Sequence, residues 1–181
     1  MLTLYCLGNP TLKHKNNRHN AGLLLGDFLI EKFDLKLKKF KNYKLSSSFQ
    51  IDGINCQIAL SENYMNESGL GVLSLKTTKM SKNDELFVLY DELDLKSGEI
   101  KIKHAGGNAG HNGLRSISSK IGDNYWKLRI GIDHPGIKHQ VSNYVLNKFT
   151  DLEMDVIVNK LNKVTKNFEL LLSDSSLFLT K

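Results

Sequence analysis

Five polar residues, each just beyond a stretch that reads as a β-strand, could together run a hydrolysis. Asn9 and His19 follow the apolar run LTLYCLG (2–8), and Asn66 follows INCQIALS (54–61). Asp91 ends ELFVLYD (85–91), and Asn112, beside His111, follows EIKIKH (99–104). Ligands of open α/β sheets favour the carboxyl ends of strands, so a sheet gathering these ends brings a histidine, a carboxylate and three amides together. An imidazole with an ordinary pKa near ~6.5 can take a proton from water at neutral pH. A carboxylate beside it fixes the tautomer and stabilises the imidazolium as it forms. Asparagine amides can donate to an oxygen that becomes negative in the transition state, a role often worth ~2.7 to 4 kcal/mol per donor. Nothing in that chemistry requires a metal, a cofactor or a covalent nucleophile.

Taken singly, each residue also has a structural reading. His19 can be a helix cap or a surface residue, Asp91 the turn that ends a strand, and Asn66 and Asn112 caps of the helices after them. The loop AGGNAG (105–110) opens a helix, and Asp133 ends the next strand 23 residues after Gly110. That pattern is shared with dinucleotide-binding turns, although Ala105 replaces the first glycine. A zinc cluster drawn from His19, Asp91, His111 and His134 is compatible with the spacing but lacks a local ligand pair. No Gly-Lys-Ser/Thr phosphate loop, Gly-x-Ser-x-Gly elbow or His-Glu-x-x-His helix occurs.

The elements that must position these residues are legible from periodicity. Residues 2–8 read as a buried strand, and 21–33 as an amphipathic helix with Leu25, Phe28, Leu29 and Phe33 near one face. Asp52-Gly53 between two alternating runs is a hairpin signal, predicting antiparallel strands within 46–61. SGLGVLSLKTT (68–78) is a short helix candidate, 85–91 a strand, and 99–104 and 127–132 two more. Residues 151–172 carry an apolar stripe of Ile157, Leu161, Val164, Phe168 and Leu171, expected to pack on the sheet. The run KLKKFKNYK (36–44) interleaves lysine with Phe40 and Tyr43; it reads as a solvated, mobile connection, with a nucleic-acid patch as the alternative. Strands with helices between them and one hairpin predict a single α/β domain over 1–181, a mixed twisted sheet with helices on both faces.

Charge narrows the partners. With 25 Lys and Arg against 19 Asp and Glu, the chain carries +6, which favours anionic partners. Only Arg18, Arg115 and Arg129 are arginines, so these three mark places where a planar fork could hold a phosphate or carboxylate. The start lacks the length and basic lead of a signal peptide, and no stretch approaches a membrane span, so a soluble cytoplasmic protein is expected. Cys6 and Cys56 sit singly in apolar runs and read as buried thiols. Eight of the fourteen glycines fall between Gly98 and Gly136, placing the expected site around that loop region.

Seven ordered motifs then carry a resemblance. LGNP, NNRHNAG, NYMNESG, YDELDLKSG, GGNAGHNGLRSI, LRIGIDHPG and VSNYVL closely resemble those of bacterial peptidyl-tRNA hydrolase, over residues 2 to 172. The resemblance implies hydrolysis of the ester between a peptide and the terminal ribose of a tRNA released early from the ribosome. It also implies one α/β domain and no metal; no cofactor, no membrane partner and a monomer are expected. By position, His19 matches the catalytic histidine and Asp91 the carboxylate that assists it. Asn9, Asn66 and Asn112 match the asparagines that position substrate, water and the developing oxyanion, and Met65 an apolar wall beside the peptide. Lys103 and Arg129 match a basic pair that clamps the tRNA 5′ phosphate, while Arg18 and Arg115 have no assigned part. The chain departs from the family pattern at Thr11, His14, Asn63, Ala105, Ala109, Asp133 and Gln140. His14, where the family usually has tyrosine, puts a second imidazole near His19.

Overall fold

Strands buried on both faces lose the polar alternation of a half-exposed sheet, and the centre of this protein is built from such strands. In a computed structural model, which describes residues 1–51 and 53–168, eight strands form one mixed sheet. They are β1 (Leu2–Cys6), β2 (Leu37–Lys39), β3 (Tyr43–Ser46), β4 (Phe49–Ile51), β5 (Ile54–Ser61), β6 (Glu85–Glu92), β7 (Ile100–His104) and β8 (Trp126–Gly131). The order across the sheet is β2-β3-β5-β1-β6-β8-β7, with β4 also paired to β5. Neighbours β5, β1, β6 and β8 run parallel, so their carboxyl ends share one edge. The flanking strands β2, β3, β4 and β7 are antiparallel to their neighbours.

The two faces bury different side chains of the same strands. On one, Leu4, Cys6, Ile58, Leu89, Leu128 and Ile130 pack with Leu25 and Leu29 of α1 (Ala21–Lys32) and with Ile157 and Leu161 of α5 (Asp151–Lys166). On the other, Tyr5, Val88 and Tyr90 pack with Val72 and Leu75 of α2 (Ser68–Lys79) and with Leu114 and Ile117 of α3 (Asn112–Ile121). Helix α4 (Val141–Leu146) lines a cleft at the carboxyl ends of the parallel strands. The mixed sheet with helices on both faces is thus as expected. Cys6 and Cys56 are buried free thiols, and burial pushes the Cys56 thiol up to about 11.

Two sequence expectations, the connection at 36–44 and the dinucleotide loop, need adjusting. Residues 36–44 are not a mobile connection: they supply β2 and the start of β3, and the lysines line an exposed edge strand, which discourages pairing with another chain. The apolar stripe of α5 lies beside α1, with Lys160 over Gly98, so the helix covers the sheet in company with α1. Its Leu171, like Asp52 of the hairpin, lies outside the described residues. The dinucleotide reading fails on topology, because β7 and β8, which flank the glycine loop and α3, are antiparallel where that motif needs parallel strands.

Candidate active site

The carboxyl end of the parallel strands is assembled by close backbone approach. A Cβ on Gly22 would lie 2.2 Å from the Leu89 carbonyl oxygen, so only glycine lets the start of α1 rest on the ends of β1 and β6. The turn Arg18–Asn20 just before it therefore hangs over Asp91, the penultimate residue of β6. Nδ1 of His19 lies 2.9 Å from both carboxylate oxygens of Asp91. With Nδ1–H donating to the carboxylate, the lone pair of Nε2 is left for the cleft. Both residues are buried, at 7% and 3% exposure.

His111 completes the group, and the sequence reading passed over it in favour of its neighbour. Its side chain, not that of Asn112, caps α3: the Gly113 and Leu114 amides donate to Nδ1 at 3.1 and 3.3 Å. The proton then belongs on Nε2, which donates to Oδ1 of Asp91 at 3.0 Å. One carboxylate thus accepts from two imidazoles whose rings stand 4.9 Å apart. Burial pushes the Asp91 carboxyl up, but the two histidines outweigh it and hold the group well below the usual carboxylate range. Burial disfavours the imidazolium of His19, yet the Asp91 charge and hydrogen bond prevail and raise its pKa above the ordinary value.

Among the described residues, His19, Asp91 and His111 are also the one group whose metal-capable atoms all lie within 4.8 Å. The carboxylate stands between the two ring nitrogens at hydrogen-bond distance from each, so a cation would have to displace both protons. His134 lines the same cleft but its Nδ1 accepts from the Gly136 amide, 2.9 Å away, and it is no part of that group. His14 reaches the cleft as well, its Nδ1 2.9 Å from Nδ2 of Asn17.

The cleft has a volume of about 930 Å³. Asn9, Met65, Asn66 and Asn112 all line it together with His19 and Asp91, so six of the eight expected site residues meet there. Asn9 is fixed most firmly. Asn20 clasps its backbone through two hydrogen bonds of 2.8 and 3.0 Å, and its Oδ1 accepts the Met65 amide at 2.9 Å, which leaves Nδ2 to point into the cleft. Asn66 and Asn112 are exposed at the rim, and Met65 is buried. The opposite wall is apolar, with Val141, Val145 and Leu146 of α4; none of the lining residues comes from α5.

Lys103 and Arg129 stand outside the cleft. They are diagonal neighbours on one face of the β7–β8 pair, where Lys103 opposes Lys127 and Lys101 opposes Arg129. Diagonal pairs of this kind lie roughly 7–8 Å apart, close enough for two long side chains to share one anion. Arg129 donates through Nε to Glu92 at 2.9 Å, which aims the guanidinium. Lys101 pairs with Glu99, Arg129 with Glu92, and the Lys127 ammonium is engaged with backbone carbonyls, so among the described residues Lys103 is the cation on this face with neither an acidic partner nor a hydrogen-bond partner.

A family model described as peptidyl-tRNA hydrolase matches residues 3–179. The chain belongs to the peptidyl-tRNA hydrolase family. It is 37% identical over 174 residues to the protein named peptidyl-tRNA hydrolase in Rickettsia prowazekii (strain Madrid E), covering 95% of this chain and 94% of that one. It is 34% identical over 186 residues to the protein of that name in Rickettsia canadensis (strain McKiel), with 96% and 95% covered. The crystal structure of peptidyl-tRNA hydrolase from Acinetobacter baumannii superposes with a TM-score of 0.88 at 32% identity, over 97% of this chain and 90% of that chain. Membership in this family makes the protein a hydrolytic enzyme. Among the described residues, no helix is long and apolar enough to cross a membrane.

Three departures from the peptidyl-tRNA hydrolase pattern have a common geometry. Ala105, Ala109 and Asp133, each in place of a usual glycine, adopt positive φ of 56°, 46° and 61°. The loop that carries Ala105 is held from below by Lys127, 1% exposed as a side chain, whose ammonium donates to the carbonyls of Ala105, Gly106 and Gly107. Asp133 offsets its strain by accepting the Ser97 amide at 3.1 Å. Lys127, Asn20, the Arg18–Glu153 pair and the role of His111 as donor to Asp91 are the structural parts of the site that sequence reasoning missed. Of these, Arg18, Asn20 and His111 sit inside motifs already singled out, so only the partner that each side chain faces was open.

Proposed function

We propose that this protein hydrolyses the ester joining a peptide to the terminal ribose of tRNA, with His19 as the base that activates water. The observation that carries the reading is the pairing of His19 Nδ1 with Asp91, because it leaves Nε2 unprotonated and turned to a cleft large enough for the ester and its flanks. Asp91 holds the ring and balances the imidazolium as the water proton arrives. The Asn9 amide, with Asn66 and Asn112 at the rim, donates to the scissile carbonyl as it becomes an oxyanion. Proton return from His19 Nε2 to the ribose oxygen then releases the tRNA. Met65 and α4 flank the peptide, and Lys103 with Arg129 receives the tRNA 5′ phosphate.

The family resemblance of the whole chain supports the substrate, and the cleft supports the chemistry. The protein acts, on this reading, as one domain and a monomer in the cytoplasm, returning prematurely released tRNA to use without metal or cofactor. The test is release of labelled peptide from peptidyl-tRNA by the intact protein and by His19→Ala. The variant should lose at least about a thousandfold in kcat while still binding tRNA, in line with removal of a general base. Substantial remaining turnover would sink the assignment of the base. Binding of tRNA without any release by the unaltered protein would leave a tRNA-binding module instead.

A further inference from the structure

A second groove of about 430 Å³ opens between α2 and α3. Asn66 and Asn112 line both it and the catalytic cleft, so the groove continues the cleft. Beyond those asparagines, Glu67 and Leu70 line one side and Arg115 and Lys120 the other. The two helices are locked at close range, with the Gly69 amide donating to Oγ of Ser116 at 3.0 Å. Helix α3 starts at the catalytic end and runs away from it. Arg115 and Lys120 are three and eight residues beyond Asn112, or ~4.5 and ~12 Å along the axis.

The groove lies on the opposite side of α3 from the cations on β7 and β8. Its other wall, α2, sits over β1, where Gly71 meets the Tyr5 hydroxyl, while the loop before α3 lies against Lys127 of β8. The ester of a peptidyl-tRNA has two flanks that must leave the histidine in different directions. The Lys103–Arg129 edge is suited to the phosphates, which leaves the α2–α3 groove as the path for the peptide.

We propose that this groove takes the peptide residues preceding the esterified one, and that Arg115 and Lys120 make the enzyme favour acidic side chains there. The proposal rests on the functional reading above. An extended chain advances ~3.3–3.6 Å per residue, so the ~12 Å from Asn112 to Lys120 holds three to four residues. Arg115 meets the second residue from the ester and Lys120 the fourth. The guanidinium fork can take a carboxylate bidentately, the ammonium acts as a point charge, and the half-exposed Leu70 offers apolar contact to the intervening side chain. Glu67 opposes the two cations, so the groove carries one net positive charge and the preference is graded rather than absolute.

The test uses two substrates on the same tRNA with the same esterified residue, an N-acetylated tripeptide carrying Asp or Lys at the second position. For the unaltered enzyme the Asp substrate should have the higher kcat/KM, by about threefold at low salt, as an exposed ion pair allows. The ratio should approach one as salt screens the pair. In the double variant Arg115→Glu, Lys120→Glu it should invert; reading the ratio within each protein cancels any general loss. A ratio near one in the unaltered enzyme, or one that the charge reversal leaves in place, overturns the proposal. Equal loss for both substrates, with a shallower salt dependence of binding to uncharged tRNA, overturns it in favour of tRNA in the groove. Should neither substrate be cleaved, the functional reading fails. Shifts of the Asn66 and Asn112 amide signals with the free tripeptides then decide the groove, with tighter binding of the acidic one expected and equal binding overturning it.

Discussion

Arg18 and Glu153, 135 residues apart in sequence, close an ion pair in which Nη2 of the arginine donates to both carboxylate oxygens, at 2.9 and 2.7 Å. The same guanidinium donates to the carbonyl of Tyr144 at 3.2 Å and lies 4.1 Å from the centre of its ring. The turn that carries His19, the apolar wall of α4 and the first turn of α5 are thereby fastened together, so the arginine beside His19 holds the cleft together. Glu153→Gln leaves the buried Arg18 cation with a neutral partner. The pair is buried on one side and a quarter exposed on the other, so the expected loss is ~1–3 kcal/mol, between the values for surface and buried pairs. Denaturant midpoints measure it, and a loss of a few tenths of a kcal/mol would show that the strap contributes little. Arg18 and the Thr150 cap hold the Glu153 carboxyl below its usual range against burial, so this stabilisation is present above the ordinary carboxylate pKa and fades as pH falls through the lowered one.

The pair of His19 and Asp91 sets opposite pH dependences for activity and stability. A general base works deprotonated, so kcat/KM should rise with pH through a limb above the ordinary ~6.5 of histidine. A raised folded-state pKa means that the stabilisation from this pair is complete below the unfolded value and is lost as pH rises through the folded one. Asp91→Asn removes the charge that raises the pKa. Its pH–rate limb should move to lower pH while the plateau falls by tenfold to a thousandfold, a smaller loss than for His19→Ala. A limb that stays in place would assign the titration to another group.

His111 joins helix capping to the Asp91 network, and two substitutions separate those roles. Asparagine is a good N-cap, so His111→Asn should keep α3 within a few tenths of a kcal/mol while deleting the second donor to Asp91. His111→Ala loses both and should cost ~0.5–2 kcal/mol of stability as well. If the Asp91 contact matters to the reaction, both variants fall in kcat by about tenfold, whereas only the alanine variant melts early. An asparagine variant with full kcat would reduce His111 to a cap.

The central strands and the helices between them could be read from hydrophobic periodicity because each strand carries a mostly apolar stretch bounded by polar turns. The Asp91–His19 pairing was legible only as a sum of motifs, since residues 72 apart meet through a parallel register that no local pattern encodes. Residues 36–44 misled because an edge strand guarded by lysine has the composition of a linker. The choice between His111 and Asn112 turned on which side chain faces back along the chain to cap α3, a matter of one residue's rotation. The loop departures Ala105 and Ala109 could be found in the sequence, but their cost needs φ. An L residue in that conformation loses ~1–2 kcal/mol, of which the looser unfolded chain of a glycine variant returns ~0.4–1 to the alanine form. Ala109→Gly, whose loop position lines the cleft, should therefore gain ~0.5–1 kcal/mol in a thermal melt; a net loss would show that the alanine is packed rather than strained.

Lys103 offers the cleanest test of the phosphate edge, because it is exposed and has no acidic partner among the described residues, whereas Arg129 is tied to Glu92. Each phosphate contact releases counterions, so the logarithm of tRNA affinity should fall linearly with the logarithm of salt concentration. Removing one contact with Lys103→Ala should lower that slope by about 1 and weaken binding alike for every tRNA sequence. Arg129→Lys keeps the charge but loses the fork that Glu92 aims, so its slope should hold while the affinity drops. In turnover both losses should fall on KM, since neither side chain lines the cleft with His19. A slope unchanged in Lys103→Ala would remove the β7–β8 face from the tRNA path and, with it, the direction assigned to the peptide.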